Sequence, residues 1–369
     1  MKLLYIFTFD YSLKVWKDAG ILERELNYFS ELQKNGVDLT LLTYGDGSDE
    51  KFLGTHKLNI IPIYKYFKRP KNKVIRILKS LFFSKFIIEN AKFDIIKQNQ
   101  LQGSWVSILL KLATKKKLII RTGYDVFLFS IKDKKKFYKR IIIYIITQFS
   151  VLIADKYTVT SSDDKLFLEK RFFVPKHKIE LRRNWVNTPI NNNNLSERNQ
   201  NEILSVGRLE SQKNFKHLID MAKGTGKKII IFGEGSEKVS LIELANQNHV
   251  SIEINNPVEN NELVKIMSQH AFYITTSLFE GNPKSILEAM GAGCVVVAPQ
   301  YENNTEIIDD HFNGYLYNIK TENPIELISS KTFEELEIIS INAFNTVADG
   351  FSLNKFVENE LSECTKLLK

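Results

Sequence analysis

The chain has 369 residues, of which 43% are hydrophobic and 25% are charged. This length exceeds what a single hydrophobic core usually supports, so we expect two domains, and the composition excludes a disordered chain. Two cysteines are too few for a disulfide framework. The N-terminal apolar run has no small-residue cleavage site, so we expect a cytoplasmic protein.

The net charge of +8 is unevenly distributed. Residues 1–198 contain 37 Lys+Arg and 19 Asp+Glu, whereas residues 199–369 contain 14 and 24. Most of the excess lies in residues 51–150, where basic residues alternate with Phe, Tyr and Ile. This pattern fits either an anionic membrane surface or the solvated helix faces of a lysine-rich protein. A nucleic-acid-binding function would depend on charge alone, and we do not expect it.

The first half alternates short β-rich runs with segments of helical period, which predicts a doubly wound parallel sheet. The predicted strands are 2–9, 37–43, 57–63, 93–99, 116–122 and 156–160. The apolar run 141–154 is too short to cross a bilayer and carries polar residues, so it is predicted to be a buried helix.

A polar, asparagine-rich segment at 187–202 is the predicted linker. The alternation then restarts, which predicts a second doubly wound domain. Its predicted strands are 202–206, 227–232, 250–254, 271–276 and 294–299. A final helix is predicted over 351–368 with Ser352 as its N-cap. Two such domains would form a cleft between the carboxyl ends of their sheets, where open α/β folds bind ligands.

The segment SVGRLESQKNF (205–215) places two cations after a predicted strand. Gly207 permits a tight turn, and Arg208 and Lys213 would point to the carboxyl edge of the sheet. A guanidinium and an ammonium together suit a diphosphate, although a surface loop can carry both residues without any function. The glycines around Glu234 in IIIFGEGSE (229–237) would let a ligand approach the next helix, which is a weak signal alone.

The segment SLFEGNPKSILEAMGAGCVVVAP (277–299) carries the strongest pattern. Pro283 is predicted at the first helical position with Asn282 as the cap, so the amides of 283–286 would face an anion. Glu280 precedes this helix end and Glu288 lies about one and a half turns inside it. One carboxylate could hold a sugar hydroxyl and the other a ribose, with phosphates on the amides between them.

These three segments, in this order and spacing, resemble the donor half of the GT-B glycosyltransferases, specifically the retaining family four (glycosyl transferases group 1). The Glu280-x7-Glu288 pattern is that family's hallmark. The resemblance implies an α/β fold of two Rossmann-like doubly wound domains facing a central cleft. The implied domains are an acceptor-binding 1–190, a donor-binding 195–350 and a C-terminal helix, 351–369, that crosses back to the first domain.

The resemblance also implies a role for individual residues. Arg208 and Lys213 would bind the donor diphosphate, Glu288 the ribose and Glu280 the donor sugar. The residues implied to bind the donor, besides Glu288, are Gly20, Gly207, Gly233, Glu234, Asn256, Gly281, Asn282, Pro283, Lys284 and Ser285. In the first half, RTGYDVF (121–127) falls where many relatives carry a catalytic-site histidine, and Asp125 is the candidate in its place. The implied catalytic residues are therefore Arg208, Lys213, Glu280 and Asp125.

By this resemblance the protein would move a sugar from a nucleotide sugar, UDP-linked by expectation, to a glycan or lipid-linked acceptor in cell-surface polysaccharide or glycolipid synthesis. No metal or other cofactor is expected, because no Asp-x-Asp or His/Cys cluster is present in the sequence. A nucleotide-sugar epimerase and a non-catalytic nucleotide-sugar-binding subunit remain alternatives. The basic first half would place the protein peripherally on the inner face of the plasma membrane.

Overall fold

The structure is a computed structural model that describes residues 1–123, 125–132, 135–186, 194–280 and 283–369. The chain divides into two compact units. The first comprises Met1–Arg183 together with Phe356–Lys369, and the second comprises Asn184–Lys355.

Within the described residues, the first unit contains seven parallel strands in the order β3-β2-β1-β4-β5-β6-β7. They are β1 (Lys2–Ile6), β2 (Asp38–Thr43), β3 (Asn59–Pro62), β4 (Ile95–Asn99), β5 (Lys117–Arg121), β6 (Lys156–Val159) and β7 (Ile179–Leu181). The six predicted strands are confirmed to within three residues at each end. The sequence missed β7 because three residues are too few to show an alternating or continuous apolar pattern.

The helices of the first unit lie between these strands. They are α1 (Leu13–Asp18), α2 (Leu22–Lys34), α3 (Ile63–Tyr66), α4 (Lys73–Ser80), α5 (Phe83–Asn90), α6 (Ser104–Thr114), α7 (Val126–Lys132), α8 (Phe137–Ile153) and α9 (Ser162–Arg171). Because every strand carries helices on its faces, strand interiors such as the Leu118–Ile120 run of β5 are fully apolar and buried.

Helix α8 corrects one prediction, because only one of its sides is buried. The side that faces the protein carries Thr147, Ser150 and Val151. Ser150 Oγ donates a hydrogen bond to Ser104 Oγ of α6 at 2.9 Å. The prediction of a buried helix over 141–154 is therefore wrong, since five of its large apolar side chains are exposed while Val151 and the Tyr144 ring pack inward.

Within the described residues, the second unit contains six parallel strands in the order β10-β9-β8-β11-β12-β13. They are β8 (Asn199–Val206), β9 (Lys228–Phe232), β10 (Ile252–Asn255), β11 (His270–Ile274), β12 (Val295–Pro299) and β13 (Tyr315–Tyr317). The five predicted strands are confirmed to within three residues, and the three-residue β13 was missed for the same reason as β7.

The helices of the second unit are α10 (Phe215–Ala222), α11 (Lys238–Gln247), α12 (Asn260–Gln269), α13 (Lys284–Gly291), α14 (Glu302–Thr305), α15 (Pro324–Ser329) and α16 (Phe333–Gly350). The predicted linker 187–202 is only partly described, since residues 187–193 lie outside the described residues. Its last four residues are not linker, because β8 begins at Asn199 and pairs there with β11.

The last helix, α17 (Leu353–Leu368), begins after Ser352, whose Oγ accepts a hydrogen bond from the Lys355 amide at 3.4 Å. This confirms the predicted N-cap. From Phe356 onward α17 belongs to the first unit. There Glu360 is buried, and its Oε1 accepts hydrogen bonds from Lys97 Nζ at 2.5 Å and from Tyr28 Oη at 2.8 Å.

The strand order of the second sheet defines where its ligand site should lie. From β8 the chain passes to β9 and β10 on one side, and from β11 it passes to β12 and β13 on the other. The neighbouring strands β8 and β11 therefore form the topological switch point, where the loops after their carboxyl ends diverge and leave a crevice for a ligand.

Candidate active site

The two loops that leave the switch point, 207–214 after β8 and 275–280 after β11, are bonded to each other. The Leu278 amide donates to the Gln212 carbonyl at 2.9 Å, and Gln212 Nε2 donates to the Phe279 carbonyl at 2.9 Å. The sequence analysis did not identify Gln212. Its role arises from contacts across more than sixty residues of sequence, which no local pattern records.

These loops bring the predicted cations and one carboxylate together. Lys213 Nζ lies 2.5 Å from Glu280 Oε1, and the two side chains are 17% and 15% exposed. Arg208 is exposed, with one guanidinium nitrogen 3.4 Å from Gln212 Oε1. Lys213 is thus a half-buried, paired lysine and not a solvated side chain of a surface loop.

Helix α13 starts one residue later than predicted. Pro283 occupies the N-cap position with ψ of 87°, which is outside the helical range, so the prediction of Pro283 as the first helical residue is wrong. The predicted cap Asn282 and its neighbour Gly281 lie outside the described residues. Pro283 has no amide hydrogen and the Ile286 amide donates to the Pro283 carbonyl at 3.1 Å. The amides at the helix end are therefore those of Lys284 and Ser285.

The Lys284 side chain extends from this helix end over an indole ring. Its Nζ lies 5.9 Å from the centre of the Trp185 ring. Such a contact holds the ammonium by its attraction to the aromatic face. The first residue of α13 therefore carries a cation whose ammonium lies over Trp185.

Glu288 lies in the second turn of α13 and is buried, with 7% of the residue exposed. Its Oε1 accepts a hydrogen bond from Nδ2 of Asn260, the first residue of α12, at 2.7 Å. The sequence analysis had noted only the neighbouring Asn256 in this region. The pairing of Glu288 with Asn260 joins two helices and could not be found from spacing along the chain.

Backbone packing requires the glycine at 233, whereas the glycine at 207 faces only the flexible side chain of Lys213. A Cβ atom on Gly233 would lie 1.9 Å from the Gly207 carbonyl oxygen, and one on Gly207 would lie 2.8 Å from Lys213 Cε. The Leu209 amide also donates to the Glu234 carbonyl at 2.8 Å. The sequence predicts that Gly207 permits a tight turn and that the glycines around Glu234 let a ligand approach. The structure adds a packing reason for Gly233, which is the close passage of two loops. The Glu234 side chain is exposed.

One predicted site residue of the second unit lies away from this cluster, and two others belong to the first unit. Asn256 follows the edge strand β10 and is exposed, with β9 between it and β8. Gly20 lies in the first unit, between α1 and α2, with φ of 68°. Asp125, also in the first unit, is buried, and its Oδ1 accepts a hydrogen bond from the Leu128 amide at 2.5 Å at the start of α7. Burial raises the pKa of Asp125 to about 6, against the lowering effect of the backbone hydrogen bonds.

The second unit therefore joins a switch point, a helix N-terminus, two loop cations and two carboxylates in one place. This arrangement is that of an α/β domain that binds a phosphorylated nucleotide at the carboxyl edge of its sheet. Among the residues that the structure describes, no three His, Cys, Asp or Glu side chains are grouped so that they could hold a metal ion.

Comparison with known proteins gives the family. The family described as "Glycosyl transferases group 1" matches residues 187–330, and "Glycosyltransferase Family 4" matches residues 26–189. The two matches follow one another along most of the chain, and the protein belongs to the GT-B glycosyltransferases. The resemblance identified from the sequence and its fold class of two Rossmann-like parallel-sheet domains are thereby confirmed.

Individual relatives match this chain at modest sequence identity. The amylovoran biosynthesis glycosyltransferase AmsD of Erwinia amylovora is 34% identical over 125 residues, 32% of this chain and 34% of that protein. The chain thus matches about a third of that relative's length. The UDP-Gal:alpha-D-GlcNAc-diphosphoundecaprenol alpha-1,3-galactosyltransferase of Escherichia coli is 23% identical over 77% of this chain and 78% of that protein. The crystal structure of Anabaena HepE in complex with UDP has a TM-score of 0.77 over 99% of this chain and 100% of that chain, at 14% identity, and therefore shares the fold.

Proposed function

We propose that this protein transfers a sugar, with retention of anomeric configuration, from a UDP-sugar to a hydroxyl of a lipid-linked or glycan acceptor in cell-surface polysaccharide or glycolipid synthesis. The observation that carries the proposal is the Lys213–Glu280 pair beside the N-terminus of α13, at the switch point of the second sheet. The name of the Escherichia coli relative gives a UDP-galactose donor and a diphosphoundecaprenol-linked acceptor, and that of the Erwinia amylovora relative gives amylovoran biosynthesis.

In this proposal the donor diphosphate lies against Arg208, Lys213 and the amides of Lys284 and Ser285. Opposite charge and a helix N-terminus both favour a phosphate there. Pro283 and the two residues before it, Gly281 and Asn282, which lie outside the described residues, are proposed to bind the donor as well. Glu288, held by Asn260, would bind the two hydroxyls of the ribose, because a buried carboxylate near a phosphate site is the group that dinucleotide-binding folds use for this purpose.

Glu280 would accept a hydrogen bond from a hydroxyl of the donor sugar. With the diphosphate bound, Lys213 would interact with both groups, so that the pair seen in the structure would become a triad. Asp125 remains a proposal for the acceptor side, because it lies in the other unit.

The reaction breaks the bond between the anomeric carbon and the diphosphate oxygen and forms a bond from that carbon to the acceptor oxygen. The acceptor's proton passes to the departing diphosphate, so atoms and charge balance without another base. The protein contributes positioning and stabilisation of the charge that develops on the diphosphate. Because Arg208 and Lys213 supply that positive charge, we propose a metal-independent transfer.

The test is turnover of UDP-sugars by the Arg208→Ala variant. We expect Arg208→Ala to lower transfer by about a hundredfold with an unchanged melting temperature, as for the loss of a group that stabilises transition-state charge. Lys223→Ala, which removes an exposed cation from the same unit, is the control and should retain wild-type turnover. The configuration of the product's new glycosidic bond, read by NMR, tests retention. Binding of UDP-sugars without release of UDP in the wild type would show a non-catalytic subunit and overturn the proposal.

A further inference from the structure

The outward side of helix α8 is a continuous apolar stripe in the first unit. Its members recur at intervals of three and four residues, which places them on one face of the helix. The stripe consists of six residues that are each between 43% and 56% exposed: Tyr138, Ile141, Ile142, Ile145, Phe149 and Leu152. Surface helices normally bury such a stripe and expose a polar face. The inward side of α8 is mixed, since the hydroxyls of Thr147 and Ser150 lie beside the fully buried Val151. The Tyr144 ring also stacks on Phe172, with ring centres 4.8 Å apart. The stripe is therefore a second apolar side of the helix that is left in solvent.

An additional aromatic residue is fixed beside the stripe. Phe173 is 85% exposed and follows α9. Its backbone makes two reciprocal hydrogen bonds with the side chain of Gln148 on α8, from the Phe173 amide to Gln148 Oε1 at 3.1 Å and from Gln148 Nε2 to the Phe173 carbonyl at 3.0 Å. These bonds fix the Phe173 backbone against α8, and the ring that it carries lies in solvent beside the stripe.

Charge distinguishes this face from an ordinary apolar patch. The segment 135–153 contains four cations, Lys135, Lys136, Lys139 and Arg140, and no carboxylate. They cluster at the start of α8, and Lys136 and Lys139 are exposed. Cations next to exposed isoleucine and phenylalanine side chains are typical of a helix that lies in the interface of an anionic bilayer.

We propose that the stripe of α8, together with Phe173, docks the protein on an anionic lipid surface. The helix would lie in the plane of the interface with its apolar side chains below the headgroups. Among the helices that the structure describes, none has the length and hydrophobicity of a membrane-spanning segment. A second copy of this chain is the less suitable occupant, because it would bring another strongly basic first unit to the same surface. Residues 1–183 of that unit contain 36 Lys+Arg against 18 Asp+Glu.

The test is flotation with vesicles of phosphatidylglycerol and phosphatidylcholine, compared with vesicles of phosphatidylcholine alone. We expect the wild type to float with the anionic vesicles. The variant Ile142→Ser/Ile145→Ser/Phe149→Ser should bind about a hundredfold more weakly, because it removes three of the seven apolar side chains that would insert. The variant Lys136→Gln/Lys139→Gln should also bind anionic vesicles more weakly, and the melting temperature of both variants should match that of the wild type since every substituted residue is exposed.

The matched controls lie in the second unit. Val239→Ser/Phe312→Ser/Ile338→Ser removes three apolar side chains that are 69%, 51% and 58% exposed, and Lys223→Gln/Lys320→Gln removes two exposed cations. Both controls should float like the wild type.

Two results would overturn the proposal. One is equal flotation of the α8 variant and the wild type, and the other is a wild type that does not bind anionic vesicles. Light scattering without lipid provides a further outcome, since a wild-type dimer that the α8 substitutions convert to a monomer would identify the stripe as a self-association surface. Vesicle binding needs no turnover, so its failure would leave the proposed transferase function intact.

Discussion

Lys213 Nζ and Glu280 Oε1 lie 2.5 Å apart, although 67 residues separate them in the chain. The strand order of the second sheet is responsible, because β8 and β11 are neighbours and the loops after both strands end at one edge. The pair places a cation and a carboxylate where a diphosphate and a sugar hydroxyl would meet them.

The first prediction concerns that cation. Lys213→Met should raise the Kd for UDP by roughly tenfold to a hundredfold, because it removes a charge-assisted hydrogen bond to the diphosphate. Isothermal titration with UDP measures the change. Lys216→Met is the matched control, since Lys216 is half-exposed on the adjacent helix and pairs with Glu237 at 3.2 Å. Similar affinities for the Lys213 variant and the wild type would remove Lys213 from the site.

The second prediction concerns the Glu288–Asn260 pair. If Glu288 binds the ribose, the wild type should prefer UDP over 2′-deoxy-UDP by about tenfold or more, since one hydrogen bond to a charged group is lost with the deoxy compound. Glu288→Gln should largely abolish this preference. Asn260→Ala should weaken it, because the carboxylate loses the group that orients it. Competition binding with the two nucleotides is the measurement, and an unchanged preference in Glu288→Gln would place the ribose elsewhere.

The third prediction concerns the packing of the turns. Gly233→Ala should destabilise the protein by about 2 kcal/mol or more, because the new methyl group would meet the Gly207 carbonyl at 1.9 Å and backbone cannot easily yield. Gly350→Ala is the control, since nothing lies within 4 Å of its Cβ position and alanine favours the helix that ends there. Thermal melting of both variants measures the difference. Equal melting temperatures would show that the two turns can separate at little cost.

The fourth prediction concerns Asp125 and pH. The pKa of Asp125 is raised from 3.8 to about 6, so the unfolded chain releases this proton at lower pH than the folded protein does. Ionisation of Asp125 therefore costs stability as pH rises from about 4 to about 6, to a limit of about 3 kcal/mol. Asp125→Asn keeps a capping side chain but cannot ionise. Its melting temperature should rise relative to the wild type across that interval.

The exposed Asp46 is the control for this pH dependence. Hydrogen bonds from the side chain and the amide of Ser48 lower the pKa of Asp46, so its ionised form stabilises the folded protein. Asp46→Asn should therefore show the opposite trend, becoming less stable relative to the wild type as pH rises through the range where Asp46 ionises. A flat difference between the Asp125 variant and the wild type from pH 4 to 6 would contradict the burial effect.

The fifth prediction concerns the buried pair in the first unit. Glu360→Ala should destabilise the protein by roughly 3–5 kcal/mol, because it leaves the Lys97 ammonium in the interior without its carboxylate. The double variant Lys97→Met/Glu360→Leu should recover most of that loss, since no charge remains to be buried. Asn359→Ala, at the neighbouring exposed position of α17, should change little. A Glu360→Ala variant as stable as Asn359→Ala would show that the pair is not needed to hold the C-terminal helix.

Some of these features can be read from the sequence because they depend on neighbours along the chain. Continuous apolar runs located eleven of the strands in the two sheets, and the Ser352 cap was evident from one residue and the pattern after it. The residues of the donor loop were found because Glu280 and Glu288 lie within one short motif. Elements of three residues, such as β7 and β13, carry too few positions to show any period.

The sequence by itself determined the two α/β halves, the helix that follows Glu280 and the residue types that a diphosphate requires, since each depends on local periodicity or local spacing. Tertiary structure alone decided which residues meet. Asn260 reaches Glu288, Gln212 joins the two loops, and α8 turns its isoleucines outward, because strand order and helix packing bring together atoms that the chain keeps far apart. Short-range patterns determine which secondary structure each segment forms. Which residues come into contact depends on how all segments of a unit pack around a shared core.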